Sequence, residues 1–307
     1  MLSAMVDVYA GHSEQPLDPG VVAAVAFTLT AAIFLVPLSR ERARGSRATA
    51  GQARQGSHPR DLVALNVTTA LTWIALLYAL KFLEPAVVNA VSLAVGPAIT
   101  LLAGPLLRRG SAVLTAEAGV AIAVLATIAV LCWGSADGLT SIGHIGLGRG
   151  LTGLALTFLS GFGSAGTFIY AKRLSEAGVG PVVVLSSRFW LTAAASWVLA
   201  MASHLPRLGA SLLPGLVVAV IGVAAPACLL QLGVRYTEPI TVSLLDNLAP
   251  ILTYLLQLLD GRLRPSAFSL CGILAITCLI AGGVAARARH DARSPAPGDT
   301  VGASSRG

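Results

Sequence analysis

An all-α polytopic membrane protein is the fold this sequence predicts, and three observations predict it. The 307 residues are 55% hydrophobic and 11% charged, with a mean hydropathy of +0.78, more apolar surface than one soluble core hides. The apolar residues fall into runs of about 20, the length a helix needs to cross ~30 Å of hydrocarbon. The arginines gather in short loops between those runs and in the tail, not on one face interleaved with aromatics. The formal charge of +7 therefore reads as topology and excludes a nucleic-acid partner.

Residues 1–20 have no basic start and no apolar core long enough for a signal peptide. An apolar run at 21–38 ends in SRERARGSRATAGQARQGSHPR, a flexible basic loop over 39–60 carrying arginines 40, 42, 44, 47, 54 and 60. The positive-inside rule places that loop in the cytoplasm. Further spans are predicted at 61–82, 86–107, 114–134, 150–171, 181–203, 211–233, 239–259 and 266–286, making nine. Alternation then puts Arg108, Arg109, Lys172, Arg173, Arg235 and the C-terminus in the cytoplasm as well. The last residues, 287–307, rich in Ser, Pro, Gly and Ala, read as a disordered cytoplasmic tail.

The chain contains an internal repeat. Aligning Pro19 with Pro181 superimposes GVVAAVAFTLTAA on VVVLSSRFWLTAA, matching Phe27 with Phe189 and Thr30 with Thr192. Further on, Glu84-Pro85 matches Glu238-Pro239, Thr100 matches Thr253 and Gly119 matches Gly272. Two units are expected, 21–134 with four spans and 150–286 with five, joined by a loop at 135–149. An odd number of helices per unit inverts the second copy in the membrane, the plan of many secondary transporters. The first unit lacks one helix, so residues 1–20 are expected to be its remnant or an extracytoplasmic segment. A late start assignment and a real truncation both give that result.

The stretch EPITVSLLDNLAPILTYLLQLLDGRLR, 238–264, carries the main candidate site. Ser243, Asp246, Asn247, Pro250, Tyr254 and Gln257 recur every three or four residues and share a helix face. Lipid cannot satisfy such a face, so it meets protein or water. The repeat partner offers Asn89, Ser92, Gly96 and Thr100 at the same spacing. Asp246, Asn247, Asn89, Ser92, Ser243, Trp73, Gln231 and Tyr254 are the expected lining of a central cavity, with Pro97 and Pro250 kinking their helices. An intramembrane acid is costly and marks a pathway by default, which makes Asp246 the candidate proton site. A structural reading also stands, in which Asp246-Asn247 satisfies backbone groups freed by Pro250. Arg188, seven residues beyond Pro181 as Asp246 is beyond Pro239, sits at the same depth and is the expected ion-pair partner. Whether such a pair touches substrate or only holds two helices together stays open.

Elsewhere the polar stripes Asn66, Thr69, Thr72, Trp73 and Ser160, Ser164, Thr167, Tyr170 suit helix packing as well as a cavity, and Gly161, Gly163 and Gly166 suit close approach. The four cysteines form no CxxC pair and the five histidines are scattered, so neither disulfide, metal nor cofactor is expected. With no catalytic constellation, an enzyme is not expected.

The repeated pattern YALKFLEPAVVNAVSLAVGPAITLLAG and GVRYTEPITVSLLDNLAPILTYLLQLLDGRL, each followed by a small-residue helix with Gly119 or Gly272, resembles the EamA type of the drug/metabolite transporter superfamily. Asp260-Gly261 stands where that family commonly has Gly-Glu. The resemblance implies a ten-helix inverted-repeat transporter with cytoplasmic ends, moving small organic solutes by alternating access. The expectation is thus a secondary active exporter of an amino-acid-like or drug-like metabolite in a bacterial-type inner membrane. Its expected partners are the lipid bilayer, a small-molecule substrate and coupled protons, and of the oligomeric states, which the sequence does not fix, a monomer is favoured. The alternative is a transport-inactive or accessory protein derived from such a transporter.

Overall fold

The computed structural model describes residues 2–13, 17–43, 58–95, 115–140, 146–203, 208–229, 248–260 and 263–293, which are helical with short turns and contain no strand. In chain order they are α1 (Leu2–Ser13), α2 (Pro19–Ala43), α3 (Pro59–Leu80), α4 (Pro85–Val95), α5 (Thr115–Ala136) and α6 (Leu147–Glu176). Then follow α7 (Pro181–Ser187), α8 (Trp190–Ala202), α9 (Leu208–Val217), α10 (Ala249–Gln257) and α11 (Ala267–Arg293). Among the described residues, six stretches are long and apolar enough to cross a membrane: Pro19–Ser39, Pro59–Leu80, Gly148–Glu176, Pro181–Ala202, Leu208–Leu229 and Ala267–Ala286. The spans expected at 86–107, 114–134 and 239–259 are represented by α4, α5 and α10. Residues 96–107 of the first, with Pro97, and 239–247 of the third lie outside the described residues.

Proline sets several helix starts, because its fixed φ suits the first turn and its missing N–H is not needed there. Asp18 caps α2, its carboxylate accepting the Gly20 amide at 2.8 Å just before Pro19 enters the helix. Pro250, expected as a mid-helix kink, stands in the first turn of α10. Large apolar side chains face outward along the bundle, among them Val63, Ile122, Phe168, Val198 and Leu213, each more than 60% exposed. A surface of that kind is stable against hydrocarbon, not water.

Without a hydrophobic drive between helices in lipid, association rests on close packing and polar contacts. The α3–α6 pair shows both. A Cβ at Gly163 would meet the Thr72 amide nitrogen at 2.7 Å and the Thr68 carbonyl at 2.8 Å, so glycine alone permits this approach. Ser160 donates to the Thr72 carbonyl at 2.9 Å and Thr167 to the Thr68 hydroxyl at 3.2 Å. The small and hydroxyl stripe of α6 is therefore packing surface, and the same holds for Thr69 and Thr72 of α3.

Two helices depart from regular geometry for identifiable reasons. Beyond α9 the chain widens into a π segment, Val218–Ala224, in which the Ala225 amide bonds the Val220 carbonyl. Pro226 follows directly; its ring and missing N–H disallow the ordinary bond to residue 222, and a wider turn absorbs the mismatch. Between α7 and α8 the helix breaks at Arg188-Phe189. Ser186 and Ser187 donate back to the Val183 and Val184 carbonyls, and the Trp190 indole N–H takes the Ser186 carbonyl at 2.9 Å. Side chains thus compete with the backbone ladder at the point where it lapses.

The packing partners repeat under exchange of the first five helical positions with the last five. α2 packs on α8 and α5 on α11, each with its own counterpart, while α3 on α6 is mirrored by α9 and its π segment on α1. α3 on α8 is likewise mirrored by α9 on α2. Phe27 and Phe189, equivalent in the sequence repeat, stack on each other at 6.0 Å between centroids with an interplanar angle of 16°.

Candidate functional site

The polar centre of the described bundle is built by α1, α4 and α10. Ala4, Ala10 and Gly11 give α1 a narrow face, and a Cβ at Gly11 would lie 3.0 Å from the Pro85 ring. The same face carries Asp7, three residues from Ala4 and Ala10, and brings it against α4. There Asn89 donates from Nδ2 to Asp7 Oδ2 at 2.7 Å. The same nitrogen lies 3.4 Å from the Thr253 hydroxyl of α10, which itself donates to the Ala249 carbonyl at 2.8 Å. Val6, one residue before Asp7, closes on the π segment, where a Cβ at Gly222 would meet it at 2.7 Å. The wide turn and the absent side chain at 222 let α1 seat deeply enough for Asp7 to reach Asn89.

Thr253 is fully buried, whereas Asp7 and Asn89 are half-buried. A carboxylate removed from bulk water is costly unless paired, and here its described partner is a neutral amide. Such a site can accept a proton or a positively charged group.

One turn along α10 from Thr253, the fully buried Gln257 accepts the Ala86 amide on Oε1 at 3.2 Å, satisfying a donor in the first turn of α4. Its Nε2 has no hydrogen-bond partner among the described residues. Asp260 follows, 8% exposed, with Oδ1 3.2 Å from His12 Nδ1 at the end of α1. Tyr254 turns away from this face: its hydroxyl donates to the Ser266 carbonyl at 2.8 Å and accepts the Ser266 amide at 3.1 Å, clamping the α10–α11 connection.

The remaining expected residues fall in several places. Ser92, also on α4, reaches only toward the Thr157 carbonyl at 3.5 Å. Trp73 belongs to an aromatic group, its ring 5.5 Å from that of Phe27, which with Phe34 flanks Phe189. Arg188 lies over the Phe189 ring at 4.9 Å, with its Nε lacking a hydrogen-bond partner among the described residues. Gln231, Ser243, Asp246 and Asn247 lie outside the described residues, and with them the expected Arg188–Asp246 pair. Asp7 was not anticipated. It stands in a short mixed stretch with no span-length run, and its only sequence trace is the small-residue spacing of Ala4, Ala10 and Gly11 around an acid.

Membrane-length helices with an apolar exterior and polar groups gathered inside define a multi-pass membrane protein. Residues 151–282 match the sequence model of the EamA-like transporter family. A solved crystal structure, described only as that of a protein, superimposes with a TM-score of 0.59 over 95% of this chain and 96% of its own. At 20% identity that likeness speaks for the fold alone. Comparison with curated proteins gave no match.

Proposed function

We propose that the protein is a secondary active transporter that exports a small organic metabolite, amino-acid-like or drug-like, by alternating access. The observation that carries the reading is the meeting of Asp7, Asn89 and Thr253 inside a bundle whose second half is EamA-like. Solute sites in repeat transporters lie near the midplane at the interface between units, where interior polar groups take over the solute's hydration. Residues 21–134 and 150–286 are the two units, α1 takes the place of the first unit's remaining helix, and 135–149 joins them. The matched packing of α3–α6 with α9–α1 supports this division.

In this reading Asn89 and Ser92 line the path together with Asp246, Asn247, Ser243 and Gln231 of the stretch ahead of α10, and Arg188 supplies the interior positive charge. Loop 39–60 and the C-terminus lie in the cytoplasm, as the arginine distribution favours. The chain acts as a monomer on solutes and not as an enzyme. Reconstitution tests the proposal: liposomes containing the chain and loaded with a radiolabelled mixture of amino acids lose label faster than protein-free liposomes. Equal loss from both, across amino acids and a panel of amphipathic drugs, favours the transport-inactive alternative and overturns the reading.

A further inference from the structure

One polar line in the bundle is left over once the packing stripes are accounted for. On α10 and just beyond it, Thr253, Gln257 and Asp260 recur at steps of four and three on one face, all of them buried. Thr253 and Gln257 lie about 6 Å apart along the helix at ~1.5 Å per residue, and the turn that follows carries Asp260. Its inner end is the Thr253 hydroxyl beside Asn89 and Asp7. Its outer end is Asp260, held by a His12 side chain that is 61% exposed. A buried hydrophilic stripe from an exposed imidazole to an interior carboxylate is an unusual expense inside a membrane bundle.

The middle of the line shows the same character. Gln257 spends its carbonyl on the Ala86 amide and leaves Nε2, in a fully buried side chain, with no described partner. Buried amide donors are satisfied as a rule, and residues one helical turn apart stand ~5–6 Å from each other, the span one water bridges. We propose that Asp7 is a proton-binding site and that Thr253, Gln257 and Asp260, closed at the outer end by His12, form the route by which the proton reaches it. Its role in driving flux rests on the transport reading above.

The chemistry balances simply. Asn89 occupies Oδ2 of Asp7, and a proton taken from water at the His12 end bonds Oδ1, converting carboxylate to carboxylic acid; nothing is oxidised or reduced. The groups around Asp7 leave that role to it. α4, α9 and the π segment carry no ionisable side chain. α10 contributes only Tyr254, occupied by Ser266, and α3 contributes Tyr78 near its end. Lys81 and Glu84 lie in the turn between α3 and α4, Glu84 two residues before the amide that Gln257 holds. At the start of α1 the positive charge of the amino terminus acts on Asp7, and further along the helix Tyr9 and His12 follow, His12 with Asp260.

Infrared difference spectroscopy of the purified full chain in lipid, taken from pH 9 to pH 5, tests this without any substrate. A protonated-carboxyl band that grows as pH falls, and that is lost in both Asp7→Asn and Asp7→Ser, is the expected result. In deuterium oxide that band shifts promptly in the native chain, and about tenfold more slowly in Gln257→Met or Asp260→Asn, the cost of removing one hydrogen-bonded relay group. If one relay variant misfolds, the other still reads the route. A titrating band that survives both Asp7 substitutions, or no such band, overturns the site. Unchanged exchange in a folded relay variant overturns the route. Flux without the Asp7 band sinks the proton site and spares the transporter; the band without flux of any solute does the reverse.

Discussion

Asn89 holds Asp7 at 2.7 Å, joining the first helix of the chain to the helix that opens with Glu84-Pro85. The bond draws a carboxylate into the bundle, where its side-chain hydrogen-bond partner is a neutral amide. Removing the amide by Asn89→Ala strands that carboxylate, at a cost of about 1–3 kcal/mol, or roughly 5- to 150-fold in solute affinity if the site binds solute. Binding assays on the purified variant against the native chain check this; equal affinity in a folded Asn89→Ala protein places the solute elsewhere.

The α3–α6 contact predicts opposite outcomes at two glycines. Gly163→Val drives side-chain atoms into the Thr68 and Thr72 backbone and is expected to cost about 1–3 kcal/mol or more. Gly119→Ala, where a Cβ meets nothing within 4 Å, is expected to be neutral or to stabilise α5 by about 0.5–1 kcal/mol. Thermal unfolding in detergent reads both, and a destabilised Gly119→Ala beside an unaffected Gly163→Val reverses the packing assignment.

Tyr254→Phe separates a clamp from a cavity residue. The hydroxyl satisfies both the amide and the carbonyl of Ser266, so its loss is expected to lower stability by about 1–3 kcal/mol. A variant with native unfolding temperature and weakened solute binding returns Tyr254 to the solute path.

Orientation is open to labelling. In a cysteine-free background, Ser57→Cys in the basic loop is expected to react with a membrane-impermeant maleimide only after intact cells are permeabilised. Labelling in intact cells inverts the topology.

The bundle was legible because hydropathy and span length are properties of the chain itself, and the paired Phe27 and Phe189 of the repeat do meet in space. The glycines and threonines of α3 and α6 were legible only as ambiguous, since packing surface and cavity lining use the same small and hydroxyl residues. Asp7 was hidden because its helix is twelve residues long and owes its burial to partners far along the chain, Asn89 and Thr253. The break at Arg188 was hidden for a different reason: Ser186-Ser187 interrupts the helix without interrupting the apolar run, and hydropathy sees only the run. Pro226, four residues after Gly222, did carry a trace of the π segment, in a helix that otherwise reads as continuous.

The most direct measurement is the rate at which liposomes loaded with labelled amino acids lose label through the native chain and through Asp7→Asn, at equal amounts of folded protein. A placement of Asp7 at the heart of the transport site predicts clear loss through the native chain, and a rate through Asp7→Asn that falls toward the protein-free leak. Equal rates through the two proteins would contradict it.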